Sequence, residues 1–450
     1  MDTADTPPVW PPAPTLSPEI PAAETRPPLT PAGVLWYSLA NLGYGAFYAF
    51  NNFVIPAWLS SYTNNAILLG LMGGSHSFEG AIIQPVVGSI SDRLEGPGGR
   101  RRPFMRVFIL ISALFLLLAP AAAHLPPGAR LAAVVGCIFL FTLTFNVAMD
   151  PYQALLADIT TPEQRGKVTG FWFFVGAFGQ VSILLLPLAL PISDDVKFPI
   201  VGLLMLGTTW LTCLKTREPR VAPPVETPRG HVDDLKLALA GLRTLHQARL
   251  YMLMFFLFGA GVGGVVPLLT PFIQDTTGCA KSTAEMMPAM LLVMTAIGSL
   301  LFGPVGDKIG HKRLLLLSLA VVMLAAANGL WVTTLPQVAV VLGLAGLGIG
   351  AQNASAYPLL TRLVPVKEIG FYVGLQTAAA SLAGPGAVLL TGTLSNLHKH
   401  DPHNHYRSIF AVCAVCLALA FGALSLLRER EAAGEAAARM REIGTGETGA

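Results

Sequence analysis

Long apolar runs alternate with short polar segments along almost the whole chain. Twelve stretches of about 20 mostly apolar residues stand out, at roughly 35–59, 66–90, 104–123, 130–157, 168–190, 198–214, 250–274, 284–306, 314–334, 336–360, 368–393 and 407–427. One helix of this length spans the hydrocarbon core of a bilayer, where no water is present to satisfy backbone groups. The pattern therefore predicts an all-α membrane protein with twelve transmembrane helices.

Composition narrows the picture further. Only 29 Lys and Arg and 26 Asp and Glu stand among 450 residues, so 12% of the chain is charged where a soluble domain has about 25%. A water-soluble surface cannot be built from so few charges. Five cysteines and the lack of a Gly/Pro period exclude a disulfide scaffold and a collagen-like chain. The cations also give an orientation. With both termini cytoplasmic, Arg130, Lys197, Lys281, Lys399 and Arg407 fall on the outer side and the other 24 on the inner side, the asymmetry that positive-inside sorting expects. No Lys or Arg then needs to lie in the membrane core. The expected placement is multi-pass in a cell membrane, plasma or bacterial inner.

Residues 1–34 hold ten prolines and a net negative charge without a cleavable signal pattern, which predicts a disordered, Pro-rich cytoplasmic tail. Residues 35–214 and 250–427 each hold six spans, joined by a cytoplasmic loop at 215–249. Within that loop Leu235, Leu239, Leu242 and Leu245 recur at helical spacing behind Asp233 and Asp234, which predicts an amphipathic helix along the inner interface. Residues 428–450 form a polar, Ala/Glu-rich cytoplasmic tail.

The two halves repeat each other. The loop after span 2 runs Gly88-Ser-Ile-Ser-Asp92-Arg93 and then Gly98-Gly99-Arg100-Arg101-Arg102-Pro103. The loop after span 8 runs Gly303-Pro-Val-Gly-Asp307-Lys308-Ile-Gly310-His311-Lys312-Arg313. A second match pairs Leu155-Leu156, Gly166 and Gly170 with Leu359-Leu360, Gly370 and Gly374. Two matches in the same order indicate a parallel duplication of a six-helix unit. Asp92 and Asp307 stand at the negative end of their helix dipoles and need partners there. Ion pairs at these loops close the inner face and break when it opens. The gating set is Gly88, Asp92, Arg93, Arg101, Arg102, Asp158, Arg165, Gly303, Asp307, Lys308, Gly310 and Arg313; a static topology signal is the alternative.

The duplicated loops, the twelve spans and the long central loop resemble the major facilitator superfamily over essentially residues 35–427. That resemblance implies two pseudo-symmetric six-helix halves rocking about a substrate site near the midplane. Gln84-Pro85-Val-Val-Gly88, Ser91-Asp92-Arg93, Gly99-Arg100-Arg101-Arg102-Pro103-Phe104 and Ala154-Leu155-Leu156-Ala157-Asp158 are similar to the sucrose transporters within the glycoside-pentoside-hexuronide:cation symporter group. The resemblance implies sugar transport with protons or sodium. Plant sucrose carriers have Arg just before Ala-Leu-Leu-Ala-Asp, where this chain has Gln153.

Charges at membrane depth cost about 3 kcal/mol and need a reason. Glu79 lies 13 residues before Asp92, about 20 Å along a helix and so near the bilayer centre, with His76 one turn away. Asp150 lies eight residues before Asp158, about 12 Å from the inner edge. Glu79 and Asp150 are the two carboxylates that loops and gates leave unexplained, and with His76 they form the expected cation-coupling set. The resembled group carries its cation-site acids on helices 2 and 4, which matches by helix number. The alternatives are a neutral Glu79 hydrogen-bonded to His76, and an Asp150 that answers the backbone group Pro151 frees.

Uncharged polar residues cluster within the spans of the same half, and the second half adds three more. Tyr48, Asn51, Asn52, Asn146, Gln153, Gln180, Gln352, Asn353 and Gln376 form the expected substrate set. Amides and tyrosines donate and accept to hydroxyls, which favours a neutral, hydroxyl-rich ligand, although each alone can equally join helices. The Gly-rich runs at 259–264 and 343–350 lie inside apolar spans and predict close helix packing, while Gly384-Pro385-Gly386 predicts a hinge or a kink. The cysteines show no metal-ligand spacing, and His398, His400, His403 and His405 read as a solvated outer loop.

The expected function is secondary transport of a small neutral solute by proton or sodium symport. Its partners are that solute, the ion and the lipid bilayer, with no cofactor, metal or nucleic acid, and the expected state is a monomer. The alternative is a proton-coupled antiporter exporting drugs or metabolites, against which span 5 has Gly176 and Gly179 but no Gly-Pro signature. No nucleophile-base pair, zinc motif or nucleotide loop points to an enzyme.

Overall fold

A computed structural model describes residues 28–75, 83, 87, 99, 101–190, 192–218, 245–364, 369–398, 405–429, 431–432 and 434–435. The Pro-rich tail and most of the predicted amphipathic segment lie outside these residues. The described chain is helical and contains no strand.

The first span begins as α1 (Pro31–Ala49), passes through a π-helical turn (Phe50–Val54) and ends as α2 (Ile55–Leu59). Thr30 caps it, its hydroxyl accepting from Gly33 N at 3.1 Å. The second span starts as α3 (Ala66–Ser75). Four long helices follow: α4 (Arg102–Ala123), α5 (Pro127–Ile159), α6 (Pro162–Ala189) and α7 (Asp194–Lys215). The seventh span is α8 (His246–Val265), a 3₁₀ turn (Val266–Leu268) and α9 (Leu269–Thr277). Then come α10 (Lys281–Met286), α11 (Pro288–Ile309), α12 (His311–Gly329), α13 (Leu335–Leu363), α14 (Ile369–Leu397) and α15 (Ser408–Leu426). Among the described residues ten helical runs are long and apolar enough to cross a membrane. Their outward faces carry large apolar side chains such as Phe173, Phe174, Phe178, Leu300 and Leu324, which only lipid would solvate favourably.

The helices pack as two groups. In the first, α1 lies on α6 and α7, and α4 lies on α5 and α7. In the second, α8 lies on α14 and α15, α13 on α11 and α12, and α12 on α15. Small residues set the closest approaches. A Cβ on Gly45 would stand 2.0 Å from the Gly176 carbonyl oxygen, and one on Gly179 would stand 2.1 Å from that of Leu42, so α1 and α6 touch backbone to backbone. A tyrosine pair locks α1 to α5: Tyr37 and Tyr152 donate their hydroxyls to each other's carbonyls at 3.2 and 2.8 Å, and Trp172 on α6 donates to the Tyr152 hydroxyl at 2.9 Å.

One face of the bundle carries the first and last described residues. There Arg101, 6% exposed, donates to Asp158 at 2.5 Å, and Glu218 accepts from the backbone N–H groups of Arg101 and Arg102 at 3.0 and 3.4 Å. Leu29 and Gln164 exchange hydrogen bonds on the same face. In the second group Gln247, at the start of α8, donates to Glu431 and Glu435 and accepts from Arg428 N.

Candidate functional site

Two spans break in register. In the first span Ile55 N donates to Phe50 O, five residues back, and Pro56 follows with no N–H of its own. In the seventh, the 3₁₀ turn contains Pro267. The two breaks lie against each other and against α3. Gly73 permits this, because a Cβ there would stand 2.6 Å from Pro56 Cγ and 2.9 Å from Pro267 Cβ.

Beside these breaks, between the groups, is a cavity of about 290 Å³. α3 contributes Gly70, Leu71, Met72, Gly74 and Ser75; α14 contributes Ala380, Ser381, Gly384, Pro385 and Val388; Gly259, Gly263, Val266 and Pro267 come from the seventh span. Asn52 from the π turn and Phe139 from α5 complete the wall. Among the described lining residues the polar side chains are Asn52, Ser75 and Ser381, and none is charged. Ser75 is already engaged, donating to Met72 O at 3.0 Å and lying 3.2 Å from the Thr142 hydroxyl.

The groups are tied together on the face opposite the first and last described residues. Asn396 of α14 accepts from Ala66 N at 2.9 Å, capping α3, and donates to Asn65 Oδ1 at 3.0 Å. On the other flank, where α6 meets α10 and α11, Lys197 of α7 forms an ion pair with Glu285 of α10. Lys197 is 4% exposed and Glu285 1%. The expectation of a solvated loop lysine is thus replaced by a helical one held in the protein. Glu285 joins Glu79 and Asp150 as a third acid that loops leave unexplained.

The predicted site residues scatter more widely than their spacing suggested. Asn52 lines the cavity. Asn51 donates to Gly73 O at 2.7 Å, joining the first two spans. Tyr48 packs on Phe47 and Phe145. Asn146 donates back to Thr142 O within α5, and Gln376 accepts from the Tyr251 hydroxyl at 3.0 Å. Gln352 is buried, Gln180 half-buried, and Gln153 and Asn353 are exposed. Asp150 is half-buried on α5. His76, Glu79, Gly88, Asp92 and Arg93 lie outside the described residues, as does the side chain of Arg165.

Of the expected gates, Arg101 and Asp158 pair directly, and Arg102 is held through its backbone by Glu218. Asp307 is largely exposed and lies 3.4 Å from the His311 ring, while Lys308 and Arg313 point outward. Gly310 separates α11 from α12 with φ at 92°, a left-handed conformation that costs glycine little. Gly303 has open space around it. Ser75, Phe139, Ser381, Lys197 and Glu285 escaped the sequence reading. Lys197 appeared there only as an outer cation, and Glu285 left a trace as an acid at the second position of an expected span.

The model for MFS/sugar transport proteins matches residues 36–371. The chain belongs to that family. It is 31% identical over 136 residues to the sucrose transport protein SUC3 of Arabidopsis thaliana, which covers 24% of this chain and 23% of that protein. It is 27% identical over 183 residues to a membrane-associated transporter protein of Homo sapiens, covering 38% and 34% of the two chains. These alignments thus span about a quarter to a third of the curated relatives' length. Among solved structures, a D-xylose-proton symporter superposes with a TM-score of 0.66 at 16% identity, covering 86% of this chain and 96% of that one. The nucleoside transporter NupG also gives 0.66, at 14% identity, covering 89% and 100%. The fold is therefore the major facilitator fold, and the family is one of membrane transporters rather than enzymes.

Proposed function

We propose that this protein is a secondary transporter that moves a small, neutral, hydroxyl-rich solute of the sugar class by proton or sodium symport, through alternating access at the cavity between its two groups. The observation that carries this is the cavity between the groups, whose described lining residues are uncharged. Its volume sits near the lower end of ligand pockets, about 300–1,000 Å³, which suits a compact sugar better than a large drug. Its described wall offers apolar surface for C–H faces and a few neutral polar groups for hydroxyls, and among these residues no counter-charge for an anion. The relatives named for sucrose and xylose transport support the same reading.

Glu79, with His76 beside it in sequence, and Asp150 are the proposed coupling acids, and both termini are assigned to the cytoplasmic side of a cell membrane. A single chain holds both groups and the cavity, so the monomer is the proposed working unit.

Uptake into proteoliposomes under imposed proton or sodium gradients is the direct test. Accumulation of sucrose, D-xylose or a nucleoside only when one gradient is present is the expected result, and gradient-independent equilibration of all three would sink symport. Glu79→Gln is expected to abolish accumulation while exchange survives. Ser381→Trp, which fills the cavity from α14, is expected to abolish exchange as well without lowering the yield of folded protein.

A further inference from the structure

The cavity wall has few polar side chains but an unusual backbone. Pro267 and Pro385 have no N–H, so the carbonyls four residues before them, on Gly263 and Ser381, have no helical donor at that position. Both residues line the cavity.

The seventh span shows how this arises. Val266 N donates to Val262 O, and in the 3₁₀ turn Leu269 N reaches back only to Val266 O, so the ladder skips Gly263 and Gly264. The Gly264 carbonyl is taken by the Thr391 hydroxyl of α14, at 3.3 Å. The Gly263 carbonyl belongs to the residue at the cavity. Opposite, α14 presents Gly384-Pro385-Gly386; a Cβ built on Gly384 or Gly386 meets nothing within 4 Å, while one built on Gly263 would stand 3.0 Å from Gly384 Cα, so the two main chains approach closely at the cavity. A carbonyl without its helical donor is costly in a low-dielectric surrounding, and the fold places two carbonyls whose i+4 partner is a proline at one hollow.

We propose that the carbonyls of Gly263 and Ser381 are the substrate's principal hydrogen-bond acceptors, and that the site therefore selects solutes presenting hydroxyl donors on two sides. Asn52, on the π turn, adds an amide that both donates and accepts. Carbonyls accept and never donate. Replacing a hydroxyl by fluorine or a methyl ether removes the donor while keeping the size, so the site distinguishes a free polyol from its capped analogue. This assignment rests on the sugar-class reading above and specifies which atoms perform the recognition.

The test uses the purified full chain and thermal stabilisation by sucrose, D-xylose and uridine. For whichever binds, the monodeoxyfluoro analogues are titrated against wild type, Pro267→Ala and Pro385→Ala, which restore the missing N–H groups. The expected result is a parent sugar bound about fivefold to tenfold more weakly by each variant, the effect of one neutral hydrogen bond. One fluoro analogue, already weakened on wild type, should lose nothing further. Pro304→Ala and Pro358→Ala, whose freed carbonyls lie away from the cavity, should bind as wild type does. Equal losses for parent and every analogue, or no loss at all, would overturn the carbonyl assignment. Binding of none of the three probes by wild type would instead overturn the sugar-class reading. Melting without sugar reports folding for every variant.

Discussion

Tyr152 concentrates three hydrogen bonds on one buried side chain and its backbone. Its hydroxyl gives to Tyr37 O and receives from Trp172, while its own carbonyl receives from Tyr37. Tyr152→Phe strands the Tyr37 carbonyl and the indole N–H together, and is expected to lower stability by about 1–3 kcal/mol in a detergent melt. His405, at the face away from the first and last described residues, stacks on Tyr406 with ring centroids 4.0 Å apart. Its burial pulls its pKa below the ordinary 6.5, while Asp275 pulls the other way. A lowered folded pKa means the unfolded chain binds a proton that the folded one refuses. The histidine therefore adds nothing at neutral pH and subtracts stability as pH falls through 6.5. His405→Gln should flatten the melting temperature between pH 7.5 and 5.5. At this scale the sequence was least legible. Asn51, Asn146 and Gln376 carry the same chemistry as Asn52, yet they reach Gly73, Thr142 and Tyr251 while Asn52 reaches the cavity. Which way an amide points depends on its helix's rotation, and apolar periodicity fixes that poorly when lipid and protein interior are both apolar.

The helices were far more legible, because the bilayer demands length and hydrophobicity of each in isolation. The eleventh span was expected at 368–393 and runs as α14 from Ile369 to Leu397; the twelfth was expected at 407–427 and runs from Ser408 to Leu426. Their packing surfaces are set by glycine, but only at particular glycines. Gly45→Ala drives a methyl into the Gly176 backbone, which has no flexible end to move aside, so loss of well over 1 kcal/mol and a poor yield of folded protein are expected. Gly136→Ala, in α5 with nothing within 4 Å, should be neutral or stabilising by about 0.5–1 kcal/mol through helix propensity. Comparable melting of the two variants would refute the backbone-contact account of the α1–α6 interface. Glycine content alone predicted close packing; it could not tell these two positions apart, because the partner backbone comes from a distant segment.

Across the whole molecule, the ties between the groups are the features least visible in one dimension. Lys197 and Glu285 are 88 residues apart and come from different groups, so neither six-helix repeat read alone contains the pair. Removing one member of a buried ion pair leaves the other without compensation, typically at about 3–5 kcal/mol, whereas replacing both by apolar groups is often neutral. Glu285→Met and Lys197→Met should each destabilise the closed face opposite the first and last described residues, and K197M/E285M should recover most of the loss. Labelling from that side of a cysteine placed at Asn52, in a Cys279→Ser background, should speed up in the single variants and slow again in the double. Unchanged labelling throughout would mean that the pair does not hold this face. The anchors of the central segment lead somewhere different. Glu218 fastens its beginning to the first group through Arg101 and Arg102, and Gln247 fastens its end to the second through Arg428, Glu431 and Glu435. Each group thus finishes its own edge before the connection begins. Two separate genes, one ending and the other starting near residue 230, should therefore yield polypeptides that find each other in the membrane and co-purify, as two subunits would.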